Sequence, residues 1–109
     1  MYMYFSLFRP KINDYGPTYV GTIADYLMDQ IKVDPTVVAI AAGTPGGLGF
    51  NAKWRTEAGK QYIDVGIAEE HAIAMSSGIA KNGGKPVFNV YSTFLQRAYD
   101  QLVQDLCVN

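Results

Sequence analysis

A chain of 109 residues with 49% apolar and 17% charged side chains is long enough for one compact domain, too short for two, and too apolar to stay disordered. Nine Lys and Arg against ten Asp and Glu leave no global field to draw in nucleic acid or an anionic membrane, so any charged ligand must be held locally. One cysteine, Cys107, and one histidine exclude an intramolecular disulfide and a Cys/His metal set, and they fit a reduced, cytoplasmic setting.

The opening MYMYFSLF is apolar but is broken at once by Arg9 and Pro10, and it is read as neither a signal peptide nor a membrane span. Residues 1–17, punctuated by Pro10, Gly16 and Pro17, cannot continue one regular element and are expected to form an extended arm that docks on something. Thr18 is placed to cap a helix running to about Lys32, with Val20, Ile23, Ala24, Leu27, Met28 and Ile31 on one buried face. Asp34 and Pro35 stop it. Thr36 to Ala41 is then a β-branched apolar run without alternation, as expected of a strand covered on both faces in a parallel sheet.

The loop AGTPGGLG at 42–49 has two readings. Gly47, Gly49 and Ala52 fit the spacing G-x-G-x-x-A after a strand, and Asp64 ends the next strand, which suggests a small dinucleotide-binding module. Against this, Gly43 to Gly46 separate the pattern from the strand and the helix near 50–58 is short, so a plain glycine-rich loop is the simpler reading.

Residues 60–65 read as the next strand, Gly66 as a tight exit, and Ala68 as the start of a helix with Ala68, Ala72, Met75 and Ile79 packed on the sheet. Glu69, Ile73, Ser76 and Ala80 make a neighbouring stripe that could admit another helix or subunit. Asn82 to Gly84 ends the helix through a left-handed cap. Residues 86–91 give a third strand, and Thr93 with Gln96 is expected to close a capping box on a last helix whose apolar face is Phe94, Leu95, Ala98, Leu102 and Leu106. The fold class is therefore α/β, a partial doubly wound parallel sheet. Three strands are few for such a sheet, which points to a piece of a larger one.

Glu69 and Glu70 are adjacent on a helix, so their side chains diverge by about 100° and cannot act as a facing acid–base pair. Both lie in the first turn, where the helix dipole favours carboxylates, and charge matching alone accounts for them. His71 has no Ser, Cys or second His at a spacing that would make a catalytic pair. Tyr91, Phe94 and Arg97 fall where the carboxyl ends of parallel strands gather ligands, and an aromatic beside a guanidinium can cover a flat heterocycle.

Two segments are more specific: DVGIAEEHA at 64–72 and, one helix later, YSTFLQRAYDQ at 91–101. Together they resemble the 1-deoxy-D-xylulose-5-phosphate synthases, thiamine-diphosphate enzymes of the transketolase group. The resemblance covers about residues 18–109 and implies part of the pyrimidine-binding domain. It implies that Glu69 would hydrogen-bond the aminopyrimidine ring of the cofactor and relay a proton there. Phe94 would stack on that ring, Tyr91 and Arg97 would line or brace the pocket, and Ile67 would support the bent cofactor. His71 would stand nearby as a second catalytic candidate. The loop Gly43 to Gly49 resembles the family's glycine-rich segment near the thiazolium.

The implied substrates are pyruvate and glyceraldehyde 3-phosphate, joined with loss of CO2, and the implied partners are a second copy or a diphosphate-binding domain, with neither nucleic acid nor membrane. Two departures stand out. The family pattern carries Gln where this chain has Glu70, which sets a second negative charge beside Glu69. The chain also holds no GDG segment with paired asparagines and no Asp, His and Arg cluster for a substrate phosphate. No metal ligand is assigned here, and the magnesium and diphosphate site is expected outside this chain, which alone is expected to be inactive.

Overall fold

The β-branched run after Pro35 forms the central strand β1, Val37–Ala41, in a computed structural model that describes residues 18–108. The arm expected over residues 1–17 lies outside the described residues. Strand β2, Tyr62–Asp64, pairs with β1 in parallel from Ala39 opposite Tyr62 to Ala41 opposite Asp64. Strand β3, Lys85–Phe88, pairs in parallel on its other side, from Val37 opposite Lys85 to Ile40 opposite Phe88. The order is β2-β1-β3, so the chain crosses over β1 between β2 and β3, as a doubly wound sheet requires.

Helix α1, Tyr19–Val33, begins where Thr18 accepts a hydrogen bond from the Gly21 amide at 3.0 Å, the expected side-chain cap. Its inner face is Ala24, Leu27, Met28 and Ile31. Val20 and Ile23, expected on that face, are exposed; in the first turns only Ala24 is fully buried, where α1 meets Gly49. The inner face joins Val37 and Ala39 of β1 with Leu48, Phe50 and Ala58 in one core, against which Trp54, Tyr62 and Val87 pack. Phe50 stacks on Tyr62 with ring centroids 5.4 Å apart and meets Trp54 edge-on at 6.1 Å, an aromatic trio that closes this side of the sheet. Burial, with the charge of Asp64 beside it, pushes the Tyr62 hydroxyl above its ordinary value.

The short helix α2, Ala52–Ala58, is capped by Asn51, whose side chain accepts from the Trp54 amide at 3.0 Å. A 3-10 turn, Gly59–Gln61, occupies the residues expected to open the next strand. There Gln61 Nε2 donates to the carbonyls of Asp34 and Val37 at 2.9 and 2.8 Å, which ties the start of β2 to the start of β1.

Successive side chains on β1 alternate faces, so the buried Ile40 points away from the α1 core. That second face receives helix α3, Glu69–Lys81, which packs over β3 and β1. Its buried residues are Glu69, Ala72, Ile73 and Ser76. The face expected inward, Ala68, Ala72, Met75 and Ile79, is therefore turned: Met75 and Ile79 are half-buried, and the stripe read as a surface for another helix is largely the one that packs. Ser76 is accommodated because its hydroxyl donates to the Ala72 carbonyl at 2.6 Å. The left-handed cap forms as expected, with Gly83 at φ 85° and the Gly84 amide donating to the Ile79 carbonyl at 2.9 Å.

Residues 92–108 are one helical segment with changing winding: α4, Ser92–Leu95, a 3-10 turn, Gln96–Ala98, α5, Tyr99–Gln101, and a π-helical stretch, Leu102–Val108. No Thr93 capping box forms. The cap residue is Tyr91, whose carbonyl accepts from the Phe94 and Leu95 amides at 2.8 and 3.3 Å, which places Thr93 inside the helix. The segment lies on α3 through the buried Ala98 and through the Ser77 hydroxyl, which donates to the Asp105 carbonyl at 2.7 Å. Among the described residues no helix is long and apolar enough to cross a membrane.

Candidate active site at the carboxyl edge of the sheet

All three strands are parallel, so their carboxyl ends open on one edge, where the chain leaves the sheet in three loops. Two of these loops are clasped by Asp64. Its Oδ1 accepts from the Gly43 amide at 2.8 Å and from the Gly66 amide at 2.9 Å, joining the exit of β1 to the exit of β2. Gly43 and Gly66 both take positive φ, 70° and 74°, the conformation that aims both amides at one oxygen. The third loop is tied in by Asn89, whose side-chain amide donates to the Gly47 carbonyl at 3.0 Å.

The glycine-rich loop is folded on itself. The amides of Gly47, Leu48, Gly49 and Phe50 donate to the carbonyls of Thr44, Pro45, Gly46 and Pro45, so these N–H groups are already used and do not form the open cradle a pyrophosphate needs. Gly49 has φ 76°, and a Cβ there would lie 2.8 Å from the Ala24 Cβ; this glycine serves close packing on α1. With Asp64 Oδ1 held by two backbone amides and these loop amides turned inward, the loop gives no support to the dinucleotide reading.

Glu69 opens α3 and is 2% exposed. Its Oε2 lies 3.3 Å from Arg97 Nη1 but accepts no hydrogen bond: the guanidinium is near enough to attract and is not aligned to donate. Arg97 Nε is also 3.6 Å from Glu70 Oε1. The two adjacent glutamates thus meet the same arginine, which reaches them from the 3-10 turn of the last helical segment. Thr44 Oγ1, in the glycine-rich loop, is another buried polar atom with no hydrogen-bond partner among the described residues.

At the same edge of the sheet stand apolar side chains that the described residues leave open. Ile67 is 76% exposed and Phe94 42%. Ile67 packs against Gly43, where a Cβ would lie 3.0 Å from its Cγ1, and the Tyr91 ring packs against Gly47, where a Cβ would lie 3.3 Å from it. Tyr91 and Phe94 meet edge to face, with centroids 5.8 Å apart and planes at 87°.

Of the residues read from the sequence, Glu69 and Arg97 are brought into contact, Ile67 and Tyr91 lie in the loops that leave β2 and β3, and Phe94 lies on α4 just beyond. His71 lies two residues beyond Glu69 on α3, roughly 200° around the helix, and is exposed. Asp64 and Asn89 frame the edge in roles the sequence reading did not assign. The available signal was a polar residue at the carboxyl end of two of the apolar strands, Asp64 at the end of β2 and Asn89 after β3. Among the described residues no three His, Cys, Asp or Glu side chains are grouped to hold a metal ion.

A parallel doubly wound sheet with a buried acid at the start of the helix after β2 is a ligand-binding α/β architecture, and comparison with known families defines it further. Residues 16–108 match the family described as transketolase, pyrimidine binding domain, and the chain belongs to that family. Within it, the chain is similar to 1-deoxy-D-xylulose-5-phosphate synthases. It is 46% identical over 99 residues to that of Hamiltonella defensa, covering 91% of this chain and 16% of the relative. It is 48% identical over 91 residues to that of Halalkalibacterium halodurans, covering 84% and 14%, and 43% identical over 100 residues to that of Thermosynechococcus vestitus, covering 92% and 16%. The chain therefore spans about one-seventh to one-sixth of the length of these relatives.

Proposed function

We propose that the chain is a segment of a 1-deoxy-D-xylulose-5-phosphate synthase, in which Glu69 is the hydrogen-bond acceptor for the aminopyrimidine of thiamine diphosphate. The observation that carries this reading is a carboxyl group 2% exposed whose Oε2 accepts no hydrogen bond. A buried acceptor left open costs free energy, and it is expected where a ligand N–H completes it. The surroundings fit a flat heterocycle: Ile67, Tyr91 and Phe94 offer apolar surface next to the acid, and Arg97 supplies a cation beside it.

In this reading Glu69 would share a proton with the ring nitrogen through Oε2, giving it to the bare nitrogen and accepting the resulting N–H hydrogen bond as the carboxylate. Phe94 lies against the ring, Tyr91 and Arg97 brace the wall, and Ile67 supports the cofactor from the β2 exit. The cofactor, when bound, supplies the electron sink for decarboxylation of pyruvate and transfer of the two-carbon unit to glyceraldehyde 3-phosphate. Magnesium and the diphosphate are held by residues outside this chain, so the isolated segment is inactive. The working enzyme is a cytoplasmic homodimer or a pairing with a diphosphate-binding domain. His71, exposed on α3, contacts substrate only if another part of the assembly closes over that face.

The test is Glu69→Gln in a full-length protein carrying this segment. Pyruvate-dependent turnover is expected to fall by orders of magnitude, with the circular dichroism spectrum and thermal midpoint retained. Near-normal turnover overturns the assignment.

A further inference from the structure

Arg97 stands between two carboxyl groups without making a full hydrogen bond to either. Its Nη1 is 3.3 Å from Glu69 Oε2, which accepts no hydrogen bond, and its Nε is 3.6 Å from Glu70 Oε1. An arginine facing a single carboxylate settles into a fork at about 2.7–2.9 Å. Here the guanidinium is shared: Nη1 faces Glu69 and Nε faces Glu70, two carboxyl groups that leave the helix axis about 100° apart, and neither contact closes to that distance. The position in between is the compromise, and its consequence falls on Glu69. The buried Oε2 has a counter-charge close by, yet keeps its acceptor capacity unspent.

From this we infer that Glu70 is a positioning residue that acts through Arg97: it draws the guanidinium partly off Glu69 and so holds Oε2 open for a ligand N–H donor. The inference rests on the reading of Glu69 as the cofactor's acceptor. Without the Glu70 charge nothing opposes closure of Arg97 onto Glu69, and a ligand must then break a charge-assisted hydrogen bond before it can bind. Glu70 is half-buried, and a shared ion pair in that setting is weak enough that the effect is a modulation of affinity, about fivefold.

The test titrates thiamine diphosphate, at saturating magnesium, into a full-length protein carrying this segment, with affinity read by calorimetry. Glu70→Gln is expected to weaken binding about fivefold, and the same substitution in an Arg97→Gln background is expected to change it less than twofold, because the residue through which Glu70 acts is gone. A cofactor-free crystal structure of Glu70→Gln adds a readout that needs no second substitution: Arg97 is expected to move into an aligned hydrogen bond with Glu69 Oε2. Unchanged affinity in Glu70→Gln, an equal loss with and without Arg97, or an unmoved Arg97 overturns the inference. Glu69→Gln separates the levels. If it weakens binding while Glu70→Gln does not, the positioning role alone fails; if it binds as tightly as the parent protein, the reading of Glu69 fails and the positioning role with it.

Discussion

Lys85 Nζ lies 2.7 Å from Asp34 Oδ2, so the turn that stops α1 is joined to the first residue of β3. The hydrogen bond from Lys85, with further ones from the Thr36 hydroxyl and amide, lowers the Asp34 carboxyl to about 2 from an ordinary 3.8. A carboxyl with a depressed value in the folded state contributes stability that is complete above its unfolded value and is lost as pH falls through the folded one. Stability is therefore expected to drop between about pH 4 and pH 2, and Asp34→Asn should flatten that part of the profile. Urea denaturation of parent and variant at several pH values checks this; identical acid profiles would show that the contact does not carry the linkage.

Gly49 is expected to tolerate no side chain. Its φ of 76° and the 2.8 Å approach of a Cβ to Ala24 combine backbone strain with a steric clash in the α1 core. Gly49→Ala should cost about 2–4 kcal/mol, from left-handed strain plus overpacking, read as a lower denaturation midpoint at unchanged slope. A loss within experimental error would mean that the loop relaxes away from α1.

The Asp64 clasp yields a paired prediction. Asp64→Ala removes the shared acceptor of the Gly43 and Gly66 amides and should cost about 2 kcal/mol, with faster hydrogen exchange at those two amides in particular. Because the loop amides are already used, NAD is expected to give no thermal shift in the parent protein. A shift with NAD in the parent protein would revive the dinucleotide reading.

Arg97 is the counter-charge for a buried acid, so Arg97→Ala should destabilise by about 1–3 kcal/mol, less than for a fully buried pair because the arginine side chain is itself half exposed. Glu69→Gln in the same chain should recover most of that loss, since the uncompensated charge is then removed. A double-mutant cycle without coupling would show that the two groups do not interact in solution.

The fold was legible where one local cause is sufficient. The unalternating run at 36–41 fits a strand covered on both sides, Thr18 and Gly83 end their helices by their own geometry, and the parallel order followed. The inner face of α3 was not legible, because a hydropathy reading excludes Glu69 and Ser76 from the interior. One is admitted by a cation 28 residues on, the other by a hydrogen bond to its own helix. The Thr93 capping box failed for a related reason: a carbonyl from Tyr91 starts that helix, and the winding then changes every turn. Within the site, motif resemblance singled out Glu69 and Arg97, whereas the clasps by Asp64 and Asn89 depend on loops distant in sequence meeting at one edge.

The strand order also sets the length of chain that each strand pairing must close. β1 is central, and it reaches β2 across a much shorter stretch of chain than β3: Ala39 faces Tyr62 on one side and Val87 on the other. Closing the longer loop first costs about 0.6 kcal/mol more, for roughly twice the length. Once β2 is docked, the remaining closure spans only the crossover through α3. The β1–β2 pairing is thus the cheaper closure, and it brings together the residues of the Gly43–Asp64–Gly66 clasp. Arg97 lies beyond β3 in the chain, so the cation over the buried Glu69 depends on the longer closure as well.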